Sequence, residues 1–327
     1  MFNQSSRAVV AAVLPLALGA LCSSAAAASP GVVSGAPGFQ YSYVAEPGTD
    51  SGLTISGAGG AWVFTDAAVS EITITAAQGC RHGAARNVVV CEAESADPAP
   101  ELLYADLGDG DDRAMVDATA LTMTAGANWI HLNGNTGDDF LVAGDQADTR
   151  LNGGPGNDVA IGGARRDALF GQGGADIMRG GGGADIVDGG ADRDSFTYAA
   201  EGRTKGVRAV LDGTTPSGTE GIDGSGDQLT GIEDVGGTPY TDILVGNASN
   251  NVLRGNGGVD QLTGLAGDDT LITSGGPSWL DGGDGNDLLQ AKNTFKDMLG
   301  CGNGADTAKV DPTELFVPFA SCETLTG

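Results

Sequence analysis

The sequence is poor in the groups that carry most chemistry at neutral pH. Among 327 residues there are two histidines, His82 and His131, about fifty positions apart. The motifs HExxH and GxSxG are both absent. Their absence excludes the common zinc-hydrolase and serine-hydrolase arrangements. Positive charge is scarce as well: 16 Lys and Arg stand against 43 Asp and Glu, for a net charge of −27. A chain this acidic repels nucleic acid, so no nucleic acid is expected as a partner. Aromatic residues are 5% of the chain. An acidic, glycine-rich chain with so few of them reads as unstructured unless something neutralises it. Long apolar runs are missing too. The stretch at residues 8–21, AVVAAVLPLALGAL, has 14 residues. A membrane helix needs about 20, so no membrane span is expected.

That stretch has another reading. MFNQSSR before it carries one positive charge, and CSSAAAAS follows it. This is the three-part plan of a secretory signal peptide, residues 1–28, with a cut after Ala28. A lipid anchor on Cys22 is the rival, but Leu21 is large for the residue before such a cysteine. Secretion fits the remaining cysteines, Cys80, Cys91, Cys301 and Cys322. An even number in an oxidising compartment suggests two disulfides. Of three pairings, proximity favours Cys80–Cys91 and Cys301–Cys322. A cysteine metal site is the weaker reading, because no CxxC spacing exists.

What the chain does have is glycine, 56 residues of it, and a period of nine. The blocks are GGPGNDVAI from 153, GGARRDALF from 162, GQGGADIMR from 171, GGGGADIVD from 180 and GGADRDSFT from 189. GNTGDDFLV from 134 fits upstream. AGDQADTRL from 143 fits poorly, with Arg150 in the eighth place and one residue inserted before the next block. A second run has blocks from 237, 246, 255, 264, 273 and 282, then, after one inserted residue, from 292 and 301. LGDGDDRAM at 107–115 is a weaker copy. The sixth residue is nearly always acidic: Asp139, Asp158, Asp167, Asp176, Asp185, Asp194, Asp242, Asp260, Asp269, Asp287, Asp297 and Asp306, with Asn251 and Ser278 as exceptions. The eighth is apolar, as in Leu169, Val187, Leu262 and Leu289. A disordered linker would not keep an apolar residue at fixed phase.

Glycines at positions one, two and four permit positive φ and hence a tight turn lined by carbonyl oxygens. The aspartate adds a carboxylate. Three strand residues follow, and in a strand the middle one faces opposite to its neighbours. Each block is therefore expected to be an oxygen-lined turn followed by a very short strand. Such turns suit a hard cation. Calcium takes about 6–8 oxygen ligands in flexible geometry, whereas zinc prefers nitrogen and sulfur. Calcium ions are the expected cofactor and partner.

GGPGNDVAI and GGDGNDLLQ match GGxGxDxUx, with U a large apolar residue. The chain thus resembles the RTX, or hemolysin-type, calcium-binding proteins over roughly residues 134–198 and 237–309. The resemblance implies an all-β fold, a right-handed parallel β-roll in which two nonapeptides make one coil. It implies calcium between turns on the same side, bridging each block to the next but one. Asp158, Asp176 and Asp194 would share one side, and Asp167 and Asp185 the other. Asp269 would pair with Asp287, and Asp242 with Asp260. Turn glycines Gly153, Gly154, Gly156, Gly171, Gly173, Gly180, Gly182, Gly264 and Gly282, with Asp284, complete the expected sites. The strongest are expected near Asp158, Asp176, Asp185, Asp269 and Asp287. Arg165 replaces a fourth glycine and should weaken its turn.

The expected organisation is a signal peptide at 1–28, a small antiparallel β region at 29–105, a first roll block at 106–198, an insertion at 199–236, a second roll block at 237–309 and a cap at 310–327. The cap would use Leu315, Phe316, Val317 and Phe319. Acids are numerous, but their phase assigns them to metal rather than to acid–base work. The chain is therefore read as a secreted, non-enzymatic calcium-binding protein. The alternatives are an extracellular adhesin or glycan-binding module, with cell-surface polysaccharide as partner, and a calcium-dependent polysaccharide lyase.

Overall fold

The protein is described here by a computed structural model. It describes residues 32–36, 40–45, 48–58, 61–68, 73–74, 80–82, 88–92, 102–117, 129–199, 204–213, 226–291, 293–311 and 322–326. The expected signal peptide and the apolar residues of the expected cap lie outside these residues.

Every regular element among the described residues is a strand. Most repeat strands are short because the block allows little more than three extended residues between turns. Phe140–Val142, Val159–Ile161 and Ser195–Thr197 all bury only their middle residue. The eighth-position side chains form two facing columns inside the roll. Leu141, Leu169, Met178, Val187, Phe196, Leu244, Leu253, Leu262, Leu271, Leu280 and Leu289 are all 2% exposed or less. Fully burying one such side chain stabilises by about 1.5–3 kcal/mol, so the columns hold the strands together. Arg150 does not enter the column. The inserted residue shifts the register, and Leu151 is buried in its place, aligned with Leu132 and Leu169.

Successive repeat strands alternate between two faces and pair in parallel with the strand one coil away. One face is a single sheet of 15 strands, ending at Thr324–Thr326. The other face is divided into sheets of nine and five strands. All the repeat ladders are parallel, as in Phe140–Val142 with Val159–Ile161 and Trp279–Asp284 with Met298–Asn303. The chain is thus all-β, a parallel β-roll.

The N-terminal region is continuous with the roll. Gln40–Val44 pairs in parallel with Leu102–Asp106, and Gly52–Ala58 with Arg113–Asp117, so these two strands supply the first coil. Antiparallel pairing extends that coil outwards. Gly52–Ala58 pairs with Ala61–Asp66, which pairs with Val88–Glu92, which pairs with Cys80–His82. Ile55, Trp62 and Phe64 close this end of the core.

Part of the expected insertion belongs to the roll. Gln228–Thr230 and Asp234–Gly236 continue the two faces, with Leu229 and Val235 buried in the columns. Their turns lack paired glycines, which hides this coil from a search for GG. A surplus strand, Arg208–Val210, pairs with Ile243–Val245 and starts the five-stranded sheet. No ladder joins it to Gln228–Thr230, which is why that face is split.

Cys301 and Cys322 form a disulfide with Cα atoms 5.1 Å apart. Cys91 is disulfide-bonded, and Cys80 is its direct partner in the antiparallel ladder. The Cys301–Cys322 link holds Thr324–Thr326 at the end of the long sheet. It closes a loop with a sequence separation of 21, for which loop entropy gives about 3 kcal/mol. Replacing both cysteines by serine is expected to lower stability by about 2–4 kcal/mol. Chemical denaturation of the calcium-loaded protein checks this, and an unchanged midpoint would count against it.

Candidate metal centre

The sixth residue of each block sits where the turn enters its strand, and both of its backbone groups are used. The Asp158 N–H donates to Asp176 Oδ1 at 2.8 Å, and its carbonyl accepts from the Ile177 N–H at 2.8 Å. The same amide-to-carboxylate bond recurs one coil at a time. On one side of the roll Asp112 donates to Asp139, Asp139 to Asp158, Asp158 to Asp176, and Asp176 to Asp194. Asp194 donates to Glu233. The row resumes with Asn251 donating to Asp269, Asp269 to Asp287, Asp287 to Asp306, and Asp306 to Glu323. On the second side Thr149 donates to Asp167, Asp167 to Asp185, and Asp185 to Asp227. Farther along, Asp242 donates to Asp260, Asp260 to the Ser278 hydroxyl, and Ser278 to Asp297.

Each of these carboxylates thus spends Oδ1 on its neighbour's amide. The second oxygen behaves differently from turn to turn. Oδ2 of Asp112, Asp139, Asp158, Asp176, Asp194, Asp260, Asp269, Asp287 and Asp306 is buried without a hydrogen-bond donor. A buried carboxylate oxygen with no partner is costly unless a cation faces it. Burial pushes the carboxyls of Asp139, Asp158, Asp260 and Asp269 up to about 7, and that of Asp112 to about 8. Neighbouring aspartates add to the rise, and the amide donors oppose it.

Asp167, Asp242 and Asn251 close on themselves instead. Asp167 Oδ2 accepts the Gly163 N–H at 2.6 Å, and Asp242 Oδ2 accepts the Thr238 N–H at 2.7 Å. Asn251 Oδ1 accepts the Asn247 N–H at 2.8 Å. In all three the position-two amide reaches the position-six side chain of its own turn.

The backbone explains the difference. Open turns have positive φ at positions two and four, as at Gly154 and Gly156, at Gln172 and Gly174, and at Gly283 and Gly285. The closed turns have it at neither. Their fourth residues are Arg165, Tyr240 and Ser249, which resist the left-handed region. Asp192 takes the fourth place in the block from 189 with φ 77° and keeps that turn open, as aspartate tolerates.

Position-one glycines have another cause. Gly153, Gly171, Gly180, Gly264 and Gly282 are not in the positive-φ region. A Cβ on any of them would overlap Oδ2 of the aspartate in its own block. Glycine there makes room for the carboxylate. Gly173 and Gly182 are third residues with ordinary φ; a Cβ would meet open space at Gly173 and only ordinary contact with the Ala164 backbone at Gly182. The fourth residues that the open turns require are Gly174 and Gly183. Asp284 lies on the exposed flank, where its side chain accepts Asn303 Nδ2 at 2.7 Å, away from the buried row.

Among the described residues no three acidic, histidine or cysteine side chains converge on one point. A cation here must therefore draw most of its ligands from turn carbonyls, with carboxylates from stacked turns supplying charge. That donor set is all oxygen, and it fits calcium rather than zinc. Asp112, Asp227, Glu233 and Glu323 join the rows although the paired-glycine signal is weak or missing around them.

Comparison with known proteins agrees with the geometry. The family model for the RTX calcium-binding nonapeptide repeat, in four copies, matches residues 124–160, 150–164, 161–196, 236–271 and 263–292. No curated protein was found to match. With the stacked turns, the buried apolar columns and the parallel sheets, this identifies RTX calcium-binding nonapeptide repeats across residues 124–292, folded as a parallel β-roll.

Proposed function

We propose that the protein is secreted, is not an enzyme, and uses calcium as the trigger and the glue of its own fold. The observation that carries this reading is the row of buried Oδ2 atoms without donors. Without calcium, stacked carboxylates repel one another inside a chain of net charge −27. With calcium, the turns are neutralised and the short strands stack, so binding free energy becomes folding free energy. The apolar N-terminal stretch and the cysteines support export to a calcium-rich, oxidising medium.

A calcium titration followed by far-UV circular dichroism tests the reading. The expected result is a coil-like spectrum that turns to β-sheet with calcium and not with equal magnesium. An apo protein already fully folded, with a melting point indifferent to calcium, would overturn it.

A second reading, glycan binding, is favoured by one flank. Tyr240, Val259, Trp279, Phe295 and Met298 are 39–50% exposed on the turns and strand starts of the second side. A groove of about 390 Å³ runs beside Trp279, with Gln261 and Lys296 at its edge. Half-exposed aromatic rings beside amide and ammonium groups suit the faces of sugars. Retention on polysaccharide without turnover would support this reading, and release of unsaturated sugars would instead indicate a lyase.

A further inference from the structure

We propose that calcium is held along one side of the roll only, in two separate stacks. This rests on the calcium-binding reading of the turns. A cation that needs about 6–8 oxygens cannot be satisfied by one turn offering one free carboxylate oxygen, so a site needs two adjacent open turns on the same side. The first side provides them. Asp112, Asp139, Asp158, Asp176 and Asp194 stand on five consecutive open turns, and Asp269, Asp287 and Asp306 on three more. Between the two groups lie Glu233 and the closed turn of Asn251.

The second side does not provide them. The turn of Asp167 is closed, so the open turn of Asp185 lacks a partner before it. The turn of Asp242 is closed, and beyond the open turn of Asp260 stands Ser278, which has no carboxylate. Among the described residues no two adjacent turns on this side are both open and acidic; residues 214–225, which lead to Asp227 after Asp185 in this row, lie outside the described residues.

The turn backbones separate the two sides in the same way. At five of the six places where two open turns stack on the first side, the earlier position-four N–H donates to the position-three carbonyl of the later turn. The pairs are Gly110 to Thr136, Gly137 to Pro155, Gly156 to Gly173, Gly267 to Asp284 and Gly285 to Asn303. Next to a closed turn the direction reverses: Gly182 donates back to Gly163, and Gly257 to Thr238. Five stacked open turns enclose four intervals and three enclose two, so six calcium ions are expected at saturation. None is expected beside the exposed apolar flank of the second side.

The test is to count bound calcium per chain, by native mass spectrometry and by equilibrium dialysis with metal analysis, on the folded full-length protein. Asparagine keeps one side-chain oxygen for the neighbour's amide while removing the charge. Asp158→Asn and Asp287→Asn are each expected to lower the count by up to two. Asp185→Asn and Asp260→Asn are expected to leave it unchanged. Arg165→Gly restores a glycine at position four beside Asp185 and is expected to add one ion. Misfolding cannot produce that gain. Loss of calcium from Asp185→Asn or Asp260→Asn equal to that from Asp158→Asn, or no gain with Arg165→Gly, would overturn one-sidedness. A wild-type count of zero would remove the calcium reading itself.

Discussion

Acid is expected to fold the calcium-free protein. At pH near 7.5 without calcium the chain should give a coil-like circular dichroism spectrum. At pH about 4.5 it should give the β-sheet spectrum that calcium produces at neutral pH. The cause is the raised carboxyls of the roll. Burial lifts Asp139, Asp158, Asp167, Asp260 and Asp269 to about 7 and Asp194 to about 6, from an ordinary value of 3.8. Between those values the folded chain holds protons that the unfolded chain releases. Stability is therefore fully present below the ordinary value and is lost as pH rises through the raised one. A tenfold change in the acidity of one carboxyl is worth about 1.4 kcal/mol, and many groups share the sign, so the effect reaches the size of a whole folding free energy. Protons and calcium then share the same oxygens and both favour the folded chain, so the calcium needed for half-folding should fall as pH falls towards 6, even though each folded site then binds calcium less tightly. A calcium-free spectrum that stays coil-like from pH 8 down to pH 4 would refute this.

Gly285→Ala is expected to abolish the second calcium stack. Gly285 has φ 148°, where an alanine is strained. Its Cβ would also overlap the carbonyl oxygen of Gly267 one coil earlier. That atom is backbone and cannot move aside without parting the two turns that hold Asp269 and Asp287. The strain alone is worth about 1–3 kcal/mol, and separation of the turns removes metal ligands besides. The midpoint of the calcium titration should rise at least tenfold for the second block. Gly173→Ala is the matched control. It sits in the same motif with ordinary φ and nothing within 4 Å of a new Cβ, and it should change stability by less than about 0.5 kcal/mol. Equal effects from the two substitutions would refute the assignment of roles to turn positions.

The fold was largely legible because the sequence states it many times. An apolar residue in the eighth place of block after block leaves few alternatives to a solenoid of short strands. The buried positions of Leu244 to Leu289 follow that phase without exception. Legibility failed where the count slipped or the glycines were missing. A single inserted residue put Arg150 in the apolar place, and the structure uses Leu151. The coil through Leu229 and Val235 has no paired glycines, so it reads as insertion until its ladders are seen. The turn chemistry was half legible. Arg165 at position four flagged a weakened turn, and the structure supplies the reason, an amide that occupies Oδ2. The need for glycine at position one was not legible as space for a carboxylate, because sequence shows a small residue without showing what fills the room. The surplus strand Arg208–Val210 lies outside the period altogether.

The amide-to-carboxylate rows run one way. Each of these sixth-position N–H groups finds its acceptor later in the chain, most often 18 or 19 residues on, as Asp139 does on Asp158 and Asp269 on Asp287, and 42 residues on where Asp185 reaches Asp227. A chain delivered from its N-terminus therefore presents donors first and receives each acceptor one coil late. The newest turn is always the unfinished one. On the first side the last acceptor is Glu323, close to the Cys301–Cys322 link. The roll is locked from its tail, and a chain still being synthesised lacks its latch.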